Sequence, residues 1–313
     1  MWNLFRRMDA GRFVVPGVLV FFLAGILAIS PADAVKASSI NLLVPAYAYP
    51  TATSQMWPSL TRAAESLKGR AAAILNPNSG PGTAVDSNYA QAIAGFRNAG
   101  GRVYGYVATT YGQRDAAEVK QEVDRYYSFY PALVDGIFFD EMANDLAKTG
   151  YYRQLRDHVK SKQPEALVIG NPGTSYLNDS SNGATGFDAD DYAASADVLV
   201  SFEDDEAAYR NHYRAPDWGP QSSDHIAHIV HSTGTDWEQE LLDLAAARGA
   251  GWVYFTDDVE PNPYDEKPVY LDAEVAAIAA YNTPVPLPAG LPLFLSGLGL
   301  VGLWKRLRHR STG

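Results

Sequence analysis

The chain has 313 residues, no cysteine and a formal net charge of −11, with 25 lysines and arginines against 36 aspartates and glutamates. The lack of cysteine excludes disulfides and thiolate metal sites. The excess of acid argues against nucleic acid as a partner, because phosphate binding needs a basic surface. An acidic surface of this kind tolerates or attracts a neutral or cationic polymer.

The first 34 residues have the three parts of a secretory signal peptide. Arg6, Arg7 and Arg12 precede an apolar run over 13–29, and residues 32–34 read Ala-Asp-Ala, the small-x-small pattern of a signal-peptidase site. We therefore expect an exported protein, with signal peptidase as a processing partner and a mature chain that starts after Ala34.

The central region alternates apolar strands with amphipathic helices. Eight strands are predicted, at 40–47, 71–76, 102–108, 134–140, 166–171, 197–203, 226–231 and 251–256. Helical patterns lie at 57–67, 89–99, 116–130, 151–162, 237–248 and 272–281, with weaker ones at 188–194 and 204–213. This alternation indicates a parallel sheet, and eight units favour closure into a (β/α)₈ TIM barrel over an open doubly wound sheet. We predict a single catalytic domain over 35–283.

The fourth predicted strand, 134–140, is nearly all apolar and ends on two adjacent carboxylates, Asp140 and Glu141. Barrel enzymes keep their catalytic groups at the C-terminal ends of the strands. Strand alternation directs Asp140, like Phe138, into the barrel mouth, and Glu141 starts the next loop. The alternative for either acid is that it merely caps the following helix.

The sixth predicted strand, 197–203, ends on Glu203, and strict alternation places Leu199, Ser201 and Glu203 on one face. Glu203 is then a second inward carboxylate, two strands from Asp140 and within reach across the mouth. A glycosidase needs such a pair, one acid for the leaving oxygen and one carboxylate to attack or to activate water. In the alternative, Glu203 opens the acidic run 203–206 at a helix N-terminus.

Other polar or aromatic residues near the strand ends are candidates for substrate binding. They are Tyr47, Asn76, Tyr106, Asn171, His231, Asp257, Asp258 and, in the last loop, Tyr264. A tyrosine face can pack on a sugar ring, although many of the 19 tyrosines must belong to the core. Asp257 and Asp258 have the alternatives of holding a cation or, more commonly, of capping loop amides. His225, His228 and His231 alternate across a strand, so we predict neither a metal nor a cofactor.

The last 30 residues have a second tripartite pattern. A proline-rich segment at 284–290 leads into an apolar run at 291–304, which is followed by Lys305, Arg306, Arg308 and Arg310. The run is short for a membrane span of roughly 20 residues, and the basic end would stay cytoplasmic. The pattern resembles the PEP-CTERM sorting signal, in its Val-Pro-Leu-Pro-Ala variant, which exosortases process in Gram-negative bacteria. The resemblance implies an exosortase-type partner, an inner-membrane-anchored intermediate and a final place at the cell surface or in the extracellular matrix. The alternative is an ordinary C-terminal membrane anchor.

Several segments of the central region together resemble the spherulation-specific family 4 (spherulin-4-type) proteins. They are 74–82 (ILNPNSGPG), 104–107 (YGYV) with 111–112 (YG), 135–141 (DGIFFDE), 229–231 (IVH), 254–258 (YFTDD) and 262–265 (NPYD). The resemblance implies a barrel. Characterised fungal relatives are retaining endo-acting hydrolases of α-1,4-linked N-acetylgalactosamine regions in galactosaminogalactan, and related bacterial barrels cut partly deacetylated amino-sugar exopolysaccharides. The acidic trio of the family falls on Asp140, Glu141 and Glu203. The segment 267–270 (KPVY) departs from the more usual Leu-Pro-Ser-Tyr-Trp continuation.

The sequence therefore predicts a retaining endo-glycosidase for an amino-sugar exopolysaccharide, and we expect it to be a monomer. Asp140 is the candidate general acid/base, Glu203 the candidate nucleophile, and Glu141 tunes a pKa or binds the sugar. The first two roles are interchangeable at this stage. The acid must stay protonated near neutral pH, which burial and a neighbouring carboxylate favour. The alternative is a non-catalytic carbohydrate-binding matrix protein, which would use the aromatic residues and dispense with the acids.

Overall fold

The structure is a computed structural model, and it describes residues 39–218 and 222–283. Its parallel strands close into a barrel in chain order, with β8 paired to β1. The strands are β1 (Asn41–Ala46), β2 (Ala71–Leu75), β3 (Arg102–Ala108), β4 (Gly136–Asp140), β5 (Leu167–Gly170), β6 (Val198–Asp205), β7 (Ile226–His231) and β8 (Trp252–Phe255). The predicted (β/α)₈ barrel is confirmed.

A helix follows each strand and packs its apolar side against the sheet. The helices are α1 (Met56–Leu67), α2 (Ser87–Asn98), α3 (Ala116–Phe129), α4 (Thr149–Lys162), α5 (Ala189–Ala193), α6 (Glu206–His212), α7 (Gln239–Ala247) and α8 (Leu271–Tyr281). Short 3₁₀ helices at Leu146–Lys148 and Ser223–His225 precede α4 and β7. Within 39–218 and 222–283, no helix is long and apolar enough to cross a bilayer. The predicted signal peptide and C-terminal sorting segment lie outside the described residues.

The largest difference from the predicted elements is at the end of β6. The strand continues to Asp205 instead of ending at Glu203, and α6 starts at Glu206, so the helix predicted at 204–213 is shorter. The side chain of Asp205 caps α6 by accepting the Ala208 amide at 2.7 Å. The helix cap is therefore Asp205, and Glu203 is a strand residue.

The strict alternation predicted within β6 is wrong, because the strand is irregular. Its pairing with β7 shifts register between Val200 and Phe202, which makes Ser201 an extra residue. Leu199 accordingly borders a small outer cavity against α5, whereas Glu203 faces the barrel mouth. The irregularity reverses the alternation and directs Glu203 inward.

Aromatic side chains fill the interior of the barrel below its mouth. Tyr104 meets Trp252 edge-on with ring centroids 6.5 Å apart, and Tyr106 stacks on Phe138 at 6.3 Å. The rings of Tyr104 and Phe138 are almost completely buried. A ligand can therefore approach the strand ends only from the C-terminal rim, as in other packed barrels.

Substitution of two glycines by alanine is expected to change the stability of the fold in opposite directions. A Cβ at Gly136 would lie 1.9 Å from the Leu167 carbonyl oxygen, whereas a Cβ at Gly95, in α2, would meet nothing within 4 Å. We expect Gly136→Ala to lower the free energy of unfolding by about 2 kcal/mol or more through overpacking. Gly95→Ala should raise it by roughly 0.5–1 kcal/mol. Urea denaturation measures both, and a Gly136→Ala variant as stable as wild type would contradict the close approach of β4 and β5.

A buried acid in α8 makes the stability of the fold depend on pH. Glu274 is fully buried, one of its oxygens accepts the Phe255 amide at 3.1 Å, and the other has no hydrogen-bond partner among the described residues. Burial raises the pKa of this carboxyl well above its ordinary value. The folded chain therefore keeps the proton to a higher pH than the unfolded chain does, so this group's contribution to stability is lost as pH rises above the unfolded pKa.

The variant Glu274→Gln, which carries no titrating proton, should escape this loss. We expect its free energy of unfolding, relative to that of wild type, to increase from about pH 5 to pH 8. Urea denaturation at both pH values checks the expectation. Parallel stability profiles of the two proteins would show that Glu274 does not hold its proton in the folded state.

Candidate active site

Three polar side chains meet where β4, β5 and β6 end. Asp140 is the last residue of β4, Asn171 directly follows β5, and Glu203 lies near the end of β6. Because the strands are parallel, their C-terminal ends share one rim of the barrel. The structure thus brings together the two carboxylates that the sequence pattern paired.

The side chain of Asn171 joins these two carboxylates. Its amide nitrogen donates to Asp140 Oδ1 at 2.7 Å and to Glu203 Oε2 at 2.6 Å. Its oxygen accepts the Gly173 amide at 3.0 Å, which fixes the end of the amide that faces the acids. Because the same nitrogen atom donates both bonds, the distance between Asp140 Oδ1 and Glu203 Oε2 cannot exceed the sum of the two hydrogen-bond lengths. Asn171 was predicted as a substrate-binding residue, and here it holds the acid pair.

A tyrosine hydroxyl approaches each of the two carboxylates. Tyr264 donates to Glu203 Oε1 at 2.5 Å, and the Tyr106 hydroxyl, on the neighbouring strand β3, lies close enough to Asp140 to lower the pKa of that carboxyl. The ring of Tyr47 meets both tyrosine rings edge-on, at 5.7 Å from Tyr106 and 5.6 Å from Tyr264. The amide of Tyr47 also donates to the Tyr264 carbonyl at 3.2 Å, which ties the β8–α8 loop to β1. These three predicted residues therefore border the acid pair.

Burial raises the pKa of both carboxyl groups. For Asp140, the cost of burial is the largest cause and the charge of Glu141 adds to it, against the hydrogen bonds that stabilise the anion. For Glu203, burial comes first and the charge of Asp140 second. Two carboxyls that oppose each other's ionisation titrate as a pair, so that one can keep a proton while the other is charged. This is the state that acid-assisted cleavage of a glycosidic bond requires.

Glu141 lies in a left-handed turn that is held from β3. Its φ is 50°, a conformation that a non-glycine residue keeps only where its surroundings enforce it. Its carbonyl oxygen accepts hydrogen bonds from Thr109 Oγ1 at 2.8 Å and from the Tyr111 amide at 2.7 Å. The Thr109 amide donates to the Asp140 carbonyl at 3.0 Å, and the Glu141 amide lowers the pKa of the Asp140 carboxyl. The turn therefore fixes Asp140 as well as Glu141.

Tyr152, in α4, supports the same turn and was missed by the sequence analysis. Its hydroxyl accepts the Ala143 amide at 2.7 Å and lies 3.1 Å from Thr109 Oγ1. We infer that the Tyr152 proton points to Thr109, whose own proton then goes to the Glu141 carbonyl. The only sequence signal is that a tyrosine on the buried face of a helix needs a partner for its hydroxyl.

His231, at the end of β7, shares a cavity of about 490 Å³ with Glu203. The cavity is also lined by Asp204 and by loop residues 260–264. His231 is 7% exposed, with Nδ1 3.0 Å from Ser232 Oγ and Nε2 3.7 Å from a Glu260 carboxylate oxygen. The histidine is thus placed at the site, and its contact with substrate stays a prediction.

Three other predicted residues bind the backbone of the loops in which they lie. Asn76 accepts an amide of the β2–α2 loop at 2.9 Å. Asp257 and Asp258 accept amides of the β8–α8 loop at 3.0 Å and 2.9 Å. These bonds match the capping alternative for the two aspartates, and a direct role in substrate binding stays a prediction for all three.

The histidines do not form a metal site in the described part of the chain, where no cluster of three or more His, Asp or Glu side chains could hold a metal ion. His228 instead packs outside the barrel, with Nδ1 2.9 Å from the Tyr209 hydroxyl. Burial lowers the pKa of His228 to about 3, so the ring stays neutral in the core.

The closed barrel and its paired carboxyls define the protein as glycoside-hydrolase-like. Residues 41–278 match the model of the spherulation-specific family 4. The chain is also 32% identical to Spherulin-4 of Physarum polycephalum, over 88% of this chain and 83% of that protein. The chain therefore belongs to spherulation-specific family 4.

A solved structure has a similar fold. The chain is similar to Aspergillus clavatus Sph3 in complex with GalNAc, with a TM-score of 0.65 and 26% sequence identity. The match covers 77% of this chain and 98% of the Sph3 chain. A protein of similar fold thus binds an amino sugar.

Proposed function

We propose that the protein is a retaining endo-glycosidase that cleaves an exopolysaccharide containing α-1,4-linked galactosamine or N-acetylgalactosamine. The observation that carries the proposal is the acid pair bridged by Asn171, through bonds of 2.7 Å and 2.6 Å. Retaining enzymes keep their carboxyl groups about 5–5.5 Å apart, whereas inverting enzymes need roughly 6.5–9.5 Å to admit a water. The bridge favours the shorter separation.

In the proposed reaction, Glu203 attacks the anomeric carbon while Asp140 protonates the departing glycosidic oxygen. Asp140 then takes a proton from water as the water displaces Glu203 from the sugar. The short hydrogen bond from Tyr264 stabilises Glu203 as the anion that attacks. Burial and the charge of Glu141 favour the protonated form of Asp140. Glu141 therefore tunes the acid in this assignment.

The amino-sugar class of substrate is supported by the family match and by the similarity to an Sph3 structure that contains GalNAc. The rings of Tyr47, Tyr106 and Tyr264 offer apolar faces and hydroxyls beside the acid pair, a combination that suits sugar rings. The net charge of −11 is compatible with a neutral or partly cationic polymer.

The experiment is to incubate the purified mature protein with a panel of amino-sugar polymers and to identify the products by mass. We expect oligosaccharides of several lengths from a galactosamine-containing polymer, as internal cleavage produces. Binding of the polymer without any product would instead identify a non-catalytic matrix protein. Release of single sugars only would contradict endo action.

The two chain ends support a further part of the proposal, that the protein is exported, anchored transiently at the inner membrane and then released to the surface or matrix. An exosortase-type enzyme would cut near 285–289. Intact-mass analysis of the mature protein from its host tests this step. We expect a mass that lacks Trp304, and a mature chain that retains Trp304 would contradict processing.

A further inference from the structure

The β3–α3 loop contains three successive residues with left-handed backbone beside the candidate site. Their φ angles are 47° for Thr110, 54° for Tyr111 and 70° for Gly112. Glycine adopts this conformation freely, but the Cβ of a threonine or a tyrosine crowds the backbone there. A turn of this kind is strained, and it persists because other interactions hold it.

The hydrogen bonds that hold the turn do not involve the Tyr111 side chain. The Tyr111 amide donates to the Glu141 carbonyl at 2.7 Å, and the Gly112 amide donates to the Thr109 carbonyl at 3.1 Å. Lys148 Nζ donates to the Gly112 carbonyl at 2.9 Å. Every residue except proline has a backbone amide that could donate this bond to Glu141, and glycine would adopt the required conformation with less strain.

The Tyr111 side chain is 57% exposed. Among the described residues, no ring packs against it and no group hydrogen-bonds its hydroxyl. The tyrosines that border the acid pair differ, since Tyr47 packs on its neighbours and Tyr264 binds Glu203. A large aromatic residue thus occupies a left-handed position without a ring contact or a side-chain hydrogen bond to the described part of the fold.

We propose that Tyr111 is a substrate-binding residue of the candidate active site, where its ring packs on a sugar unit next to the one held at the acid pair. The inference rests on the proposed function. Its main support is position, because the Tyr111 amide bonds directly to the Glu141 turn that fixes Asp140. An aromatic face can cover the apolar face of a sugar while the hydroxyl bonds a sugar oxygen. Residues in strained backbone conformations of this kind cluster at functional sites.

The test uses Tyr111→Gly, which removes the ring and relieves the left-handed strain in one step. We expect a thermal unfolding midpoint no lower than that of wild type. The KM for the polymer should rise roughly tenfold, the factor that corresponds to about 1.4 kcal/mol, and kcat should change less than KM. Tyr111→Phe keeps the ring but loses the hydroxyl, so its KM should lie between those of wild type and Tyr111→Gly.

Lys68→Gly is the matched control. Lys68 also has left-handed backbone, with φ 49°, but it ends α1 and so lies at the opposite end of the barrel from the site. Its replacement relieves the same kind of strain and should leave the KM unchanged. A Tyr111→Gly variant with the KM of wild type, or one that loses stability together with activity, would overturn the inference.

The proposed function and this inference fail in different ways. If the wild-type protein cleaves no polymer, affinity electrophoresis in polymer-containing gels replaces the KM measurement. Stronger retardation of wild type than of Tyr111→Gly supports the binding role even then. Equal migration of the two proteins overturns it.

Discussion

Replacement of Asp140 by Asn or of Glu203 by Gln is expected to abolish hydrolysis. Each change keeps the size of the side chain but removes either the proton donor or the attacking carboxylate. The rate should fall by at least about 10³-fold, or roughly 4 kcal/mol of transition-state stabilisation. Initial rates on the polymer measure this effect, and binding of the polymer should remain.

The control for this pair is Glu65→Gln, which neutralises an exposed carboxylate on α1 far from the rim. It should cleave at the rate of wild type. Near-normal turnover by Asp140→Asn or Glu203→Gln would remove the corresponding residue from the mechanism. Unchanged far-UV circular dichroism of all three variants would show that a lost activity is not a lost fold.

Asn171→Asp should have the second largest effect. The substitution keeps the shape of the side chain, but it replaces the amide that donates to both acids by a third carboxyl group. Loss of one preorganised donor costs about 10²–10³-fold in rate, and a third negative charge would raise the pKa of its neighbours further. We expect a loss of at least about 10²-fold near pH 7, measured from initial rates.

Asn98→Asp provides the comparison for this substitution, because it makes the same chemical change at the exposed last residue of α2, at the end of the barrel away from the site. It should retain normal activity. If Asn171→Asp also cleaves normally, the bridge between Asp140 and Glu203 is not needed for catalysis, and the short separation of the acids must have another cause.

The fold and the acid pair could be predicted because both leave a local pattern in the sequence. A strand covered on both faces is almost wholly apolar, so the change to Asp140 and Glu141 at the end of β4 marks the barrel mouth. The end of β6 predicted Glu203 in the same way, although the alternation argument that supported this prediction was partly wrong. Strict alternation grouped Glu203 with Leu199, and only the irregularity at Ser201 turns Glu203 inward.

The remaining features of the site depend on contacts between distant segments. The bridging role of Asn171 requires that β4 and β6 flank β5, and the support from Tyr152 requires that α4 pack behind Thr109. Neither arrangement has a local signature. The left-handed residues 110–112 are also hidden, because only Gly112 is a residue type that suits such backbone. In each case tertiary structure overrides local preference.

The stereochemistry of the first-formed product tests the central claim most directly. Proton NMR of the anomeric signals, recorded while the protein cleaves an α-linked galactosamine polymer, shows the product before it mutarotates. A double displacement by Asp140 and Glu203 predicts that the new reducing end appears first as the α-anomer. First appearance of the β-anomer would contradict the role of Glu203 as nucleophile and the close pairing of the two acids.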